Sequence, residues 1–262
     1  MGVSLILQDR TLTNMNKFVA FSGGKDSTAL ALLEEDATPV FTDTGWEFDE
    51  VYAHIEKFER VTGRQVVRIK RADGFTLPEY IKSAAFMPGH GARYCTRMFK
   101  IDPYNAYIKQ FLPAELCIGL RADEPADVRV GNLTEIEGLT IRYPLRERNM
   151  ALADVIRLCL KFDLLPRNPV YMARGGCKGC FYKRTSEITA MSALVPEVMD
   201  ELQEIEESVQ DERGKFAYMF PNAGRSIREI RSQQWLLDPN EVYAAAADKS
   251  DMGENCGLFC NR

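Results

Sequence analysis

Two groups of residues in this chain have the type and spacing for chemistry. The first is Ser22-Gly23-Gly24-Lys25-Asp26-Ser27, which follows the apolar run Phe18-Val19-Ala20-Phe21 and leads into Thr28-Ala29-Leu30-Ala31-Leu32-Leu33. That context is a strand-to-helix loop. Its glycines let backbone approach an anion, the helix start aims unpaired N–H groups and a positive dipole end at it, and Lys25 with two hydroxyls adds charge and donors. The loop suits nucleotide phosphates, ATP above all, but lacks the four-residue spacing between glycines of a Walker A loop. The second group is sulfur: Cys177 and Cys180 lie in Arg174-Gly-Gly-Cys-Lys-Gly-Cys-Phe181, and Cys256 and Cys260 in Glu254-Asn-Cys-Gly-Leu-Phe-Cys260. Thiolate sets of this kind suit zinc or an iron–sulfur cluster.

The elements that must hold these groups follow from the hydrophobic pattern. Strands are expected at Lys17 to Phe21, Pro39 to Thr42, Gln65 to Lys70, Leu116 to Gly119 and Leu139 to Arg142. Helices are expected at Asp26 to Glu35, Glu47 to Thr62 and Tyr104 to Phe111. This alternation predicts an α/β fold with a doubly wound, mostly parallel sheet. In such a sheet ligands gather beyond the carboxyl ends of the strands, so the loop at Ser22, the turn Asp43-Thr44-Gly45 and the segment Gly119-Leu-Arg-Ala-Asp-Glu124 should converge. Asp43 is then a candidate for nucleotide or Mg²⁺ contact and Arg121 for a phosphate, against the plainer readings of a capping Asp and a solvated Arg. Beyond Pro144 helices dominate, at Ala151 to Phe162, Thr185 to Leu194 and Pro196 to Glu212. A boundary is therefore expected near residue 145, dividing a nucleotide-binding part, 1–145, from a helical C-terminal region, 146–262.

Composition narrows the class. At 262 residues and 45% hydrophobic content the chain can bury a sizeable core. No stretch approaches the ~18 to 20 apolar residues that cross a bilayer, and Met1 to Lys17, interrupted by Gln8, Asp9 and Arg10, lacks a signal peptide's layout. A cytoplasmic protein with no membrane partner is expected. Seven cysteines do not suggest a secreted disulfide framework, and with two histidines, His54 and His90, any metal must lean on sulfur. Cys117 and Cys159 fall in apolar runs and read as core. A net charge of -5 argues against indiscriminate adhesion to nucleic acid. Local basic groups remain: Arg129, Arg142, Arg146 and Arg148 form one, and Arg225, Arg228 and Arg231, with Trp235 beyond, form another, which a solvated amphipathic helix explains better than a nucleic-acid face.

These motifs carry a family resemblance. Ser22 to Ser27 resembles the signature of the PP-loop ATP pyrophosphatase superfamily, whose adenine nucleotide alpha hydrolase-like fold cleaves ATP between the α and β phosphates. Arg93-Tyr-Cys-Thr-Arg-Met-Phe-Lys-Ile-Asp-Pro103 resembles the Cys-Cys-x-x-x-Lys-x-x-Pro segment of adenylyl-sulfate reductases. Phe41-Thr-Asp-Thr-Gly-Trp-Glu-Phe48, Gly119 to Glu124 and Tyr143-Pro-Leu145 resemble neighbouring blocks of the phosphoadenosine phosphosulfate (PAPS) reductase family. The likeness spans roughly residues 17 to 183. It implies a site in which Ser22, Gly23, Gly24, Lys25, Asp26, Ser27, Asp43, Thr44, Gly119 and Arg121 bind ATP with Mg²⁺ held by Asp26 or Asp43. It implies Lys25 and Lys100 as catalytic cations, and Cys256 as the mobile nucleophile. A 4Fe-4S cluster would be held by Cys95, Cys177, Cys180 and Cys260, with Zn²⁺ as the alternative. Thr96 replaces one cysteine of the family's tandem pair, so Cys260 is needed to complete that set. In a second assignment Cys177, Cys180, Cys256 and Cys260 form the whole site; in a third, three thiolates leave one iron open.

Sulfonucleotide reductases take a ready-made adenylyl sulfate and their loop has drifted, whereas the full phosphate-loop signature stands here. The resemblance thus implies an ATP-cleaving sulfurtransferase that adenylates its substrate, like the iron–sulfur members that act on tRNA or DNA, supplied by a persulfide or thioredoxin donor. A thioredoxin-dependent reductase of adenylyl sulfate or its 3′-phosphorylated form is the first alternative. A nucleotide- or nucleic-acid-binding module with structural zinc is the second.

Overall fold

The computed structural model describes residues 15–125, 136–169, 171–172, 175–209 and 217–232. Five strands, β1 (Asn16–Ala20), β2 (Thr38–Thr42), β3 (Val67–Ile69), β4 (Ala114–Cys117) and β5 (Leu139–Arg142), form one sheet in the order β3-β2-β1-β4-β5. Every pairing is parallel. The chain winds outward from β1 through β2 to β3, then crosses to the other side of β1 for β4 and β5. The topological switch point therefore lies between β1 and β4, where the phosphate loop and Gly119 leave the sheet.

Side-chain alternation along each strand feeds two buried layers. Phe18, Ala20, Val40, Ala114 and Leu116 meet Tyr104 and Ile108 on one face. Val19, Phe41 and Cys117 join the larger cluster on the other, which continues into the C-terminal helices as far as Ile227. Because both faces are covered, the central strands are nearly continuous apolar runs.

Helix α1 (Lys25–Leu33) is buried from Lys25 to Leu32, which explains why it is apolar all round beyond its polar first turn. Helix α2 (Asp49–Thr62) is amphipathic, burying Val51, Ile55 and Phe58, and ends on Gly63 in the left-handed conformation. Helix α3 (Leu77–Ala84) starts with a Thr76–Glu79 capping box and Pro78. The expected helix at Tyr104 is longer: α4 (Tyr94–Thr96) runs through a π-helical stretch, Arg97–Ile101, into α5 (Asp102–Ile108). After β5 come α6 (Pro144–Glu147), α7 (Leu152–Lys161), α8 (Thr185–Leu194), α9 (Pro196–Ser208) and the short α10 (Ile227–Ser232). Among the described residues no helix is long and apolar enough to cross a membrane.

Candidate functional site

Gly23 adopts φ +72°, and a Cβ there would lie 3.1 Å from Val51 Cγ1 in the first turn of α2, so the position requires glycine. The loop braces itself: the Ser22 amide donates to Ser27 Oγ at 3.1 Å, and that hydroxyl donates to the Gly24 carbonyl at 3.0 Å. Gly24 caps α1 with no side-chain acceptor, which leaves the helix start suited to an anion.

The exit of β4 is fastened to this helix start. A Cβ on Gly119 would sit 3.2 Å from the Asp26 carbonyl carbon. Arg121 donates Nη1 to both Asp26 carboxylate oxygens at 3.0 Å and Nε to Asp123 at 2.9 Å. Asp43, at the end of β2, accepts from the Gly45 amide at 2.8 Å and the Tyr52 hydroxyl at 2.7 Å, with Lys70 Nζ 3.4 Å away. Burial, then the bond to Asp43, pushes the Tyr52 phenol well above its usual range. Ser22, Gly23, Gly24, Lys25, Asp26, Ser27, Gly119 and Arg121 thus meet at the β1–β4 switch point, while Asp43 and Thr44 stand at the next strand end.

The residues after Asp43 reach a second site. Glu47 forms an antiparallel bridge with Cys177, and the Lys178 amide donates to the Trp46 carbonyl at 2.9 Å. A small cavity of about 40 Å³ opens there, lined by Trp46, Cys95, Lys100, Cys177 and Cys180 among others. Cys177 is buried; its thiol donates to Glu47 Oε1 at 3.4 Å and lies 3.6 Å from Thr44 Oγ1. Burial, then the Glu47 charge, raises the Cys177 thiol far above its ordinary value, and Lys100 opposes this. Lys100 Nζ is 3.9 Å from Glu47 Oε1. The π-helical stretch explains how Lys100 returns to the side of Cys95, since i→i+5 bonding brings residues five apart round to one face. Gly179 is obligatory, because a Cβ would fall 2.1 Å from Trp46 Cη2. The indole is pinned from behind, donating Nε1 to Glu201 at 2.7 Å.

Cys95, Cys177 and Cys180 therefore share a cavity, and Lys100 stands beside them. Cys256 and Cys260 lie outside the described residues. Glu47, Trp46 and Gly179 were not singled out from sequence; the glycine between the two cysteines and the Trp within Phe41 to Phe48 were the available signals. Cys117 and Cys159 are fully buried thiols pushed up to about 12 by burial.

Both local basic groups are largely paired within the chain. Arg142 is spent on Glu115 and Glu147, Arg148 on Glu34, and Arg146 on the Glu124 carbonyl; Arg129 lies outside the described residues. Arg228 pairs with Glu207, and Arg231 with Asp200 and Gln203, so this helix docks on the acidic face of α9. Glu34, Glu115 and Cys117 bring three ligating atoms within 4.8 Å of one another. Lys17, Arg142 and Arg148 neutralise these carboxylates, which makes the trio a charged junction beneath the sheet, with no charge left for a cation to balance.

Residues 16–140 match the phosphoadenosine phosphosulfate reductase domain. That match takes in just under half of the chain and agrees with the likeness its motifs carry. Two uncharacterized proteins of Methanocaldococcus jannaschii match it at 35% identity over 97 residues and 31% over 96. Each match takes in 35% of this chain but only 19% and 22% of the relative, so the chain spans a small part of their length. Among solved structures, a phosphoadenylyl-sulfate reductase from Candida auris in a phosphate complex aligns over 60% of this chain and 76% of its own, at 18% identity and TM-score 0.43. The U34-tRNA thiolase NcsA of Methanococcus maripaludis, with its 4Fe-4S cluster, aligns over 95% and 77%, at 15% identity and TM-score 0.45.

Proposed function

We propose that this protein is an ATP-cleaving sulfurtransferase that adenylates its acceptor. What supports the reading is one short stretch, Thr44 to Val51, that touches both sites. Thr44 and Glu47 hold Cys177, and just beyond, Val51 packs on Gly23 of an intact phosphate loop. In this reading an acceptor oxygen attacks the α-phosphorus, the bond to the bridging oxygen breaks and pyrophosphate leaves. Sulfur at the sulfide level then attacks the activated carbon, and AMP departs with the former acceptor oxygen. The amides at the start of α1 and Lys25 take up charge on the departing pyrophosphate. Asp26 and Asp43 already accept from Arg121 and Tyr52, so Mg²⁺ rides chiefly on phosphate oxygens. Lys100 favours thiolate in the cavity, and Cys256 is the mobile thiol.

The sulfur-lined cavity fits a thiolate-bound group. Tetrahedral zinc needs sulfurs about 3.8 Å apart, from Zn–S bonds of about 2.3 Å, and among the described residues Cys95, Cys177 and Cys180 form no trio within 4.8 Å. An iron–sulfur cluster spreads its thiolates over separate irons, which suits that wider set. When bound, it supplies a soft centre able to hold sulfur. The thiols of Cys95, Cys177 and Cys180, completed by Cys260, would hold it, and Trp46 lines the same cavity.

A reductase of adenylyl sulfate or its 3′-phosphorylated form is the second reading, favoured by the family domain at residues 16–140. Incubation of anaerobic protein with ATP and Mg²⁺ and candidate tRNA, DNA or small acceptors, read as pyrophosphate, decides between them. Pyrophosphate release is expected; none with any acceptor, together with sulfite release from adenylyl sulfate, reverses the assignment.

A further inference from the structure

Lys183 follows the sulfur loop and has no part in the chemistry described so far. It is 4% exposed, and its ammonium lies 4.7 Å from the centre of the Phe48 ring. Among the described residues no carboxylate stands within ion-pair distance of that ammonium. A ring face replaces only part of the hydration an ammonium loses on burial. Lys183 is therefore kept where an anion would complete it.

The surroundings say where that anion sits. Phe48 is the N-cap of α2, a helix of 14 residues whose start has no side-chain cap. Val51, in the same first turn, meets Gly23 of the phosphate loop. The nearby carboxylates have other work: Glu47 is held by Thr44 and Cys177, Glu50 accepts the Tyr171 hydroxyl at 2.6 Å, and Asp49 points to solvent. A buried amine, an open helix start and a phosphate loop thus share one neighbourhood, and the first two both attract oxyanions.

We propose that Lys183 anchors a tetrahedral oxyanion carried by the nucleotide, either the pyrophosphate end of ATP or the sulfonate of an adenylyl sulfate. The proposal rests on the nucleotide-site reading above and adds a cation from the far half of the chain. The Lys183 amide donates to the Cys180 carbonyl at 3.0 Å, so the loop that carries the sulfur ligands also carries the anion's partner.

Calorimetric titration of the full chain and of its Lys183→Met and Lys183→Arg variants tests this, with pyrophosphate, ATP and Mg²⁺, adenylyl sulfate, and AMP as probes. Lys183→Met is expected to weaken pyrophosphate and ATP about 10- to 100-fold, the worth of a charge-assisted hydrogen bond, with AMP unchanged and Lys183→Arg close to wild type. A loss confined to adenylyl sulfate assigns the sulfonate instead. Removing a charge that no described carboxylate balances should leave the melting temperature of Lys183→Met equal or higher. Unchanged ATP and adenylyl sulfate affinity in Lys183→Met, an equal loss for AMP, or a lower melting temperature overturns the role of Lys183 alone. A wild-type chain that binds none of the four probes overturns the nucleotide reading with it.

Discussion

His54 shows how one side chain can look reactive and be structural. Its Nε2 lies 2.9 Å from Thr28 Oγ1 in the core between α2 and α1. Burial, then the Lys57 charge, lowers its pKa to about 4. The unfolded chain takes up the proton near pH 6.5, so between about pH 6.5 and 4 it binds more protons than the folded one and stability rises with pH. The contribution is complete above pH 6.5 and falls away on acidification, at up to about 1.4 kcal/mol per pH unit. Urea titrations from pH 7.5 to 4.5 should therefore fall more steeply for wild type than for His54→Gln; parallel curves would remove His54 from the account. Asp26 and Arg121 are a second pair of this kind, with side chains 4% and 5% exposed. Arg121→Met takes two charge-assisted hydrogen bonds from the buried Asp26 carboxylate and should cost roughly 3–5 kcal/mol. Asp26→Asn combined with it should recover part of that loss, and additive effects in the double variant would contradict a direct pairing.

The contact between the Asp43 to Phe48 segment and the Cys177 to Cys180 turn is made by elements with almost no regular structure, and it depends on Gly179. Gly179→Ala forces the Trp46 ring to move and should destabilise the protein by about 1–3 kcal/mol, with a shift in tryptophan emission. Unshifted emission with unchanged stability would mean that the indole packs elsewhere. The strands were legible from sequence because each is an apolar run ending in turn chemistry, and the start of α1 because glycines and a lysine mark it. Helix α3 was not, being eight residues with a proline near its start. Nor was Tyr94 to Ile101: its charged and apolar residues keep no 3.6-residue period, because half of the stretch is wound as a π-helix.

Seen across the chain, the sulfur cavity draws Cys95 from the sheet half and Cys177 and Cys180 from the helical half. Sequence spacing pointed to Cys177 and Cys180 and the family resemblance to Cys95, but neither could reveal Glu47 or Lys183, whose significance comes only from what they are buried against. Nor could either foresee that Arg142, Arg148, Arg228 and Arg231 pair with carboxylates of the same chain, since partners such as Glu34 for Arg148, 114 residues away, and Glu207 for Arg228, 21 away, leave no local pattern. Serine in place of Cys95, Cys177 or Cys180, in protein purified without oxygen, should each lower the iron and acid-labile sulfide content by more than half. Full iron in any one variant would strike that residue from the ligand set, and stoichiometric zinc in wild type would replace the cluster.

The five-residue π-wound stretch has a genetic consequence. It behaves as a helix with one residue too many, so deleting a single codon between Arg97 and Lys100 would let the backbone heal into ordinary winding. Cys95 and Lys100, five residues apart and on one face of the π-wound helix, would become four apart in an α-helix and keep that shared face, drawn together by about one residue's rise, ~1.5 Å. A folded protein whose Cys95 still faces its chamber is the expected product of that one deletion.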